Sequence, residues 1–149
     1  MYKWEKNGLV FGPGMANDCP WLQEFAQAPC TLEYDDFLRV FFSCRPAPDA
    51  QQQYVSHSSY ADFSKDENFT LLRVAEAPIL PLGGIGEFDE FGIYPISVVR
   101  FQDKIYAYYA GWTRCVSVPF NVAIGMAVSE DDGAGFRKVG SGPVLSYSL

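Results

Sequence analysis

Glu87, Asp89 and Glu90 sit just upstream of Tyr94 and Pro95. Carboxyl groups set close together can divide acid and base roles between them when they face one reacting atom. The competing reading is that Asp89 and Glu90 cap the loop leading into the next element. Asp18, near Trp21, is a more isolated acid and reads first as a solvated loop position. Tyr94 directly precedes Pro95, Gln27 stands two residues before Pro29, and Trp112 is followed closely by Arg114. Aromatic rings stack on the apolar C–H faces of sugars, while amides and guanidinium groups read hydroxyls. Ordinary packing between sheets would use the same side chains. His57 lies among Ser56, Ser58 and Ser59 with no second histidine or acidic partner nearby, and reads as a polar, outward residue. Cys19, Cys30, Cys44 and Cys115 form no C-x-x-C pair. That spacing and the single histidine argue against a zinc site, and no metal or cofactor is expected.

The elements that carry these residues are written twice. PCTLEYDDFLRVFFSC opens at Pro29 and PISVVRFQDKIYAYYAG at Pro95, an offset of 66. YVSHSSYAD at Tyr54 and NVAIGMAVS at Asn121 are 67 apart, and APIL at Ala77 and GPVL at Gly142 are 65 apart. A fixed period of this kind marks stacked supersecondary units, none of which buries its apolar face alone. FLRVFF from Phe37 and KIYAYY from Lys104 are rich in aromatic and β-branched residues, and each follows a short polar turn, Asp35-Asp36 or Gln102-Asp103. Those are hairpin signals. A helix over 121–128 is the rival reading, but Gly125 and the Asp-Asp-Gly turn that follows oppose it. The chain is predicted to be all-β, a partial β-propeller of two four-stranded antiparallel blades.

The predicted boundaries make 1–149 a single domain, with a first blade over 27–80 and a second over 93–145. WEKNGLVF from Trp4 resembles the last strand of the repeat, FRKVGSGPVL from Phe136, so a clasp-like strand is predicted over 3–11. Ser129, Asp131, Gly133 and Phe136 fit S-x-D-x-G-x-x-F, which resembles the Asp-box of sialidase-like propellers. Its Asp can accept backbone N–H bonds in the turn and its Gly supplies positive φ, so a structural hairpin is its first reading. Ring closure takes about four blades or more, so two blades leave faces uncovered. Self-association is therefore expected, with a symmetric dimer as the default.

Composition narrows the partners. The chain has 149 residues and a net charge of −7. Nucleic acid is not an expected partner, because phosphate binding needs a basic face. No apolar run approaches the ~20 residues that span a bilayer, so no membrane is expected. The first residues lack a basic-plus-apolar leader, and the cysteines are unclustered, which together predict a cytoplasmic protein.

Residues 86–112, read with VPFNVAIGMAVSEDDGAGF, resemble the five-bladed propeller superfamily of arabinanases, levansucrases and invertases, the glycoside hydrolase 32/43-like fold. FD-x-x-G-x-x-P from Phe88, AQAP from Ala26 and YYAGW from Tyr108 carry the resemblance. It covers nearly the whole chain but only part of a complete member. The resemblance implies a funnel lined by the innermost strand of each blade. Three carboxylates would stand there, two of them often in Asp-Pro pairs at the start of an inner strand. Here Ala28 and Tyr94 precede those prolines. Neither can attack an anomeric carbon or take a proton at neutral pH, and the third blade is missing. Asp89, the acid of the FD-x-x-G element, becomes the best catalytic candidate. Gln27, Glu90, Tyr94, Trp112 and Arg114 become the expected sugar-binding residues. One expectation is an inert partial propeller with a glycan-binding groove. The alternatives are a glycosidase active on oligo- or polysaccharide once completed, and an assembly module without a ligand.

Overall fold

The computed structural model describes residues 2–6, 8–16, 19–66 and 68–147. Eight strands follow in chain order: β1 (Glu24–Glu33), β2 (Phe37–Arg45), β3 (His57–Ser64), β4 (Leu71–Val74), β5 (Gly92–Phe101), β6 (Lys104–Arg114), β7 (Phe120–Ser129) and β8 (Arg137–Lys138). They form two antiparallel sheets, ordered β1-β2-β3-β4 and β5-β6-β7-β8. Among the described residues the one helical element is a 3-10 turn, Pro13–Met15. The repeated meander predicted by the 65–67 residue offsets is thus present, one sheet per copy.

The N-terminal clasp strand does not form among the described residues. Described residues between 2 and 12 adopt no β structure, and Tyr2, Trp4 and Leu9 are exposed. The segment carries the pattern of an outer strand, but a strand exists only where a neighbour offers a ladder, and none among the described residues does. Phe11 makes the contact instead, its ring 5.2 Å from Phe42 and 6.1 Å from Phe63.

Two apolar layers result. Phe41 and Tyr60 of the first sheet meet Ile96, Val98, Ile105, Ala107 and Tyr109 of the second, with Ile79 and Leu80 of the connecting segment beside them. On the far side of the first sheet, Leu22, Phe42, Cys44, Ala61 and Phe63 make a second core, covered by Phe11, Ala16, Cys19 and Trp21. β2 and β3 are therefore buried on both faces and lose the polar alternation of a half-exposed strand.

One charged group lies inside this interior. Arg39 on β2 is 2 % exposed and forms a bidentate pair with Asp62 of β3, at 2.7 and 2.9 Å. Its guanidinium lies 3.8 Å from the centre of the Tyr60 ring. A third bond runs to the Asp132 carbonyl of the second sheet at 3.1 Å, and the Tyr34 hydroxyl donates to that same carbonyl. Arg73 reaches Asp62 from the exposed side at 2.6 Å. Removing one member of a buried pair leaves an uncompensated charge. Asp62→Ala should therefore lower the unfolding free energy by ~3–5 kcal/mol, read from the urea midpoint. A loss under about 1 kcal/mol, as for an exposed pair, would contradict this placement.

Candidate functional site

The two sheets present the same end at one rim: the starts of β1, β3, β5 and β7 and the ends of β2 and β6. Both inner strands are irregular there, and at equivalent residues. In β1, Gln27 pairs with Ser43 and the ladder resumes at Cys30 with Phe41, leaving Ala28 and Pro29 in a bulge. In β5, Ile93 pairs with Gly111 and Ile96 with Tyr109, leaving Tyr94 and Pro95 in a bulge. The Tyr94–Pro95 peptide is cis, and Ala28 has φ 51°. Proline cannot donate to a ladder, so each bulge falls where the donor is missing. Bulges re-aim side chains, and Tyr94 is 39 % exposed at this rim with Gln27 half-buried.

The rim is continuous across the two sheets. The Ser56 N–H donates to the Phe91 carbonyl at 3.1 Å, and the Ile93 N–H returns to the Ser56 carbonyl at 3.0 Å. Arg45 lies 5.2 Å from the ring centres of both Phe25 and Tyr54. Arg114 lies 4.1 Å from the Phe91 ring centre and donates to the Tyr54 carbonyl at 3.0 Å. Phe91 and Trp112 have ring centres 6.2 Å apart. The Trp112 indole occupies the space that a side chain at Gly92 would need, a Cβ there falling 2.0 Å from Nε1. The Tyr54 hydroxyl faces the Glu24 carboxylate, and that hydrogen bond, aided by desolvation, raises its pKa.

Asp89 is elsewhere. The resemblance places it at the rim, but it is completely buried against the face of the second sheet that meets the first. Lys138 of β8 pairs with it at 2.6 Å, and the Tyr109 hydroxyl donates to it at 3.1 Å. Burial first, and then the Asp89 charge, push the Tyr109 phenol well above its ordinary pKa. Glycines make the room. A Cβ on Gly111 would fall 2.4 Å from the Asp89 Cβ, and one on Gly125 would fall 2.3 Å from the Tyr109 ring. Glu87 and Glu90 turn back on their own loop, accepting the N–H groups of Gly84 at 3.0 Å and Gly86 at 2.9 Å. Asp18 lies outside the described residues.

The structure thus brings Gln27, Tyr94, Trp112 and Arg114 to one rim and sends Asp89 into the interior. Lys138 and Tyr109, the partners of Asp89, are 49 and 20 residues from it in sequence, and nothing local to Asp89 announces them. Sequence reasoning also misses Arg45 and Phe25, although Arg45 directly precedes a Pro-Ala-Pro turn that Tyr54 closes from the other side. At the opposite end of the sheets the Ser129 hydroxyl donates to Asp131 at 2.6 Å, and Asp131 accepts the Gly135 N–H at 2.9 Å. That turn is tied to itself rather than opened to a ligand. Among the described residues no group of three or more His, Cys, Asp or Glu side chains could hold a metal ion, and no helix is long and apolar enough to cross a membrane.

Two proteins of Mycobacterium tuberculosis, uncharacterized protein MT1551 and uncharacterized protein Rv1502, are each 33 % identical to the chain over 144 residues. The match takes in 96 % of the chain and 46 % of either relative, so the chain spans about half the length of the curated relatives it matches. No family model matches. Among solved structures, a family 117 glycoside hydrolase, Zg3597 of the marine bacterium Zobellia galactanivorans, superposes with a TM-score of 0.69 at 18 % identity, over 87 % of the chain and 36 % of that protein. A putative glycosidase of Bacteroides thetaiotaomicron gives 0.62 at 18 % identity, over 81 % of the chain and 34 % of that protein. A further glycoside hydrolase gives 0.64 at 13 %, over 89 % and 44 %. The fold is glycosidase-like.

His57 heads β3 opposite Cys44, half-buried, with Nδ1 enclosed and without a hydrogen-bond partner. It is half-buried rather than outward, because β3 is buried along most of its length. Burial lowers its pKa, so the fold favours the neutral ring. In the unfolded chain the ring takes its proton near pH ~6.5. The stability this contributes is present above that value and is lost as pH falls through the lower, folded pKa. The urea midpoint should therefore begin to drop as pH falls below about 6.5. In His57→Gln the drop should be shallower, and equal slopes in the two proteins would refute this.

Proposed function

We propose that this chain forms two blades of a glycosidase-like propeller and that its rim binds an oligo- or polysaccharide without cutting it. The observation that carries this reading is the matched pair of bulges, which put Tyr94 within one and Gln27 at the edge of the other, at the same rim. Tyr94 supplies an exposed ring for a sugar face, and Gln27 an amide for its hydroxyls. Trp112 and Arg114 extend the surface, while Glu90, tied to Gly86, holds the loop beneath it. Glycoside hydrolysis needs two carboxyl groups astride the scissile bond. Ala28 and Tyr94 occupy the X-Pro positions, and the ion pair with Lys138 keeps Asp89 away from any ligand. The unclustered thiols Cys30, Cys44 and Cys115 fit a reducing, cytoplasmic setting.

A glycan array followed by calorimetry on the sugars retained tests this. Tyr94→Ala and Gln27→Ala should each abolish measurable binding while leaving the far-ultraviolet spectrum unchanged. Asp89→Asn should instead cost roughly 3 kcal/mol of stability, as the loss of a buried partner does. Release of reducing ends that Asp89→Asn stops without loss of stability would overturn the non-hydrolytic reading in favour of a glycosidase.

We also propose that a second copy covers the surfaces left open. The outward face of the second sheet exposes Val99, Phe101, Tyr108 and Val122. The first sheet has an apolar groove of about 370 Å³ lined by Phe11, Pro29, Leu38, Phe42, Phe63 and Phe69. Open apolar faces of this kind mark association surfaces. Sedimentation at micromolar concentration should give a dimer or larger species, shifted towards monomer by Tyr108→Glu. A stable 16.6 kDa monomer would exclude it.

A further inference from the structure

The chain is acidic, with 18 Asp and Glu against 11 Lys and Arg. In such a chain a cation finds a carboxylate easily, and these do. From residue 19 onward every lysine and arginine makes an ion pair within 4.0 Å among the described residues, except Arg45 and Arg114. The two exceptions are neighbours. Both rest on Tyr54, Arg45 against its ring and Arg114 on its carbonyl, although they come from different sheets. They stand at the rim, beside the ends of the strands that carry Gln27 and Tyr94.

Aromatic faces hold both guanidinium groups in place without neutralising them. Arg114 spends one donor on Tyr54, and Arg45 donates no hydrogen bond among the described residues. A guanidinium has five N–H donors in a planar fork that matches an oxyanion. Glu24, the partner of Arg45 in register on β1, faces the Tyr54 hydroxyl instead and makes no ion pair among the described residues. Two fixed, unneutralised cations at one rim of an otherwise acidic molecule have the form of an anion receptor.

We infer that the saccharide bound at this rim is acidic, and that Arg45 and Arg114 together hold its oxyanion, the carboxylate of a uronic acid or a sulfate ester. The assignment rests on the saccharide reading above and narrows it to one substrate class. Neutral sugars would offer both forks hydroxyl oxygens but no counter-charge. An acidic sugar would satisfy them, and its attraction to the pair would weaken with added salt.

Calorimetry with three probes separates the outcomes: tri-galacturonate, its carboxyl-reduced neutral counterpart, and a sulfated galactose trisaccharide. The wild-type chain should bind at least one acidic probe about tenfold more tightly than the neutral one, as charge-assisted bonds of this kind allow. Which acidic probe wins identifies the oxyanion. Arg45→Gln should erase that preference, and Arg45→Lys should keep part of it, with far-ultraviolet spectra and melting temperatures confirming that each variant folds. Equal affinity for all three probes would overturn the inference and leave the saccharide reading standing. If none of the three binds while a glycan array retains only neutral sugars, the inference falls as well. If the array retains no sugar at all, the saccharide reading falls with it.

Discussion

The buried guanidinium of Arg39 is the constraint around which the two sheets are organised. Burial opposes its charge, but the hydrogen bonds and charge of Asp62 outweigh that and raise its pKa. A cation this deep exists only with its complement complete. Every member of the complement then becomes fixed: Asp62 on β3, the Tyr60 ring beneath it, and the Asp132 carbonyl in the turn between β7 and β8. The first two lock β2 to β3. The last locks the first sheet to the second, at the end of the sheets remote from the rim. That far end and the backbone bonds of Ser56 to Phe91 and Ile93 at the rim together hold the two sheets at one separation.

The second sheet solves a different problem by omission. Tyr109 must lie flat across β7 for its hydroxyl to reach Asp89, and only a residue without a Cβ lets it. Gly111 leaves the same kind of space for Asp89 itself. A carboxylate, an ammonium and a phenol are buried together there, so the segment linking the two sheets is anchored by charge as well as by Ile79 and Leu80.

How far the sequence reveals this depends on the range of the interaction. The meander is legible because each hairpin is local: the turns at Asp35-Asp36 and Gln102-Asp103 and the aromatic strands beside them lie close together along the chain. The prolines at 29 and 95 likewise mark the rim, since a missing N–H is a property of the residue itself. The burial of Asp89 is not legible, because it depends on Tyr109, 20 residues on, and on Lys138, which arrives only when β8 pairs with β7. The absent strand near Trp4 teaches the converse. Its residues do carry an outer-strand pattern, but pairing belongs to two segments, and a pattern describes only one. Arg45 and Arg114 escape notice as a pair because they meet on Tyr54 across two sheets.

The two bulges also separate what is free to vary from what must not. Each takes up its two residues outside the ladder, so the hydrogen-bond register on either side is indifferent to the side chain carried at 28 or 94. Replacing alanine or tyrosine there by an acid would remove no ladder hydrogen bond. The scaffold therefore behaves as a socket.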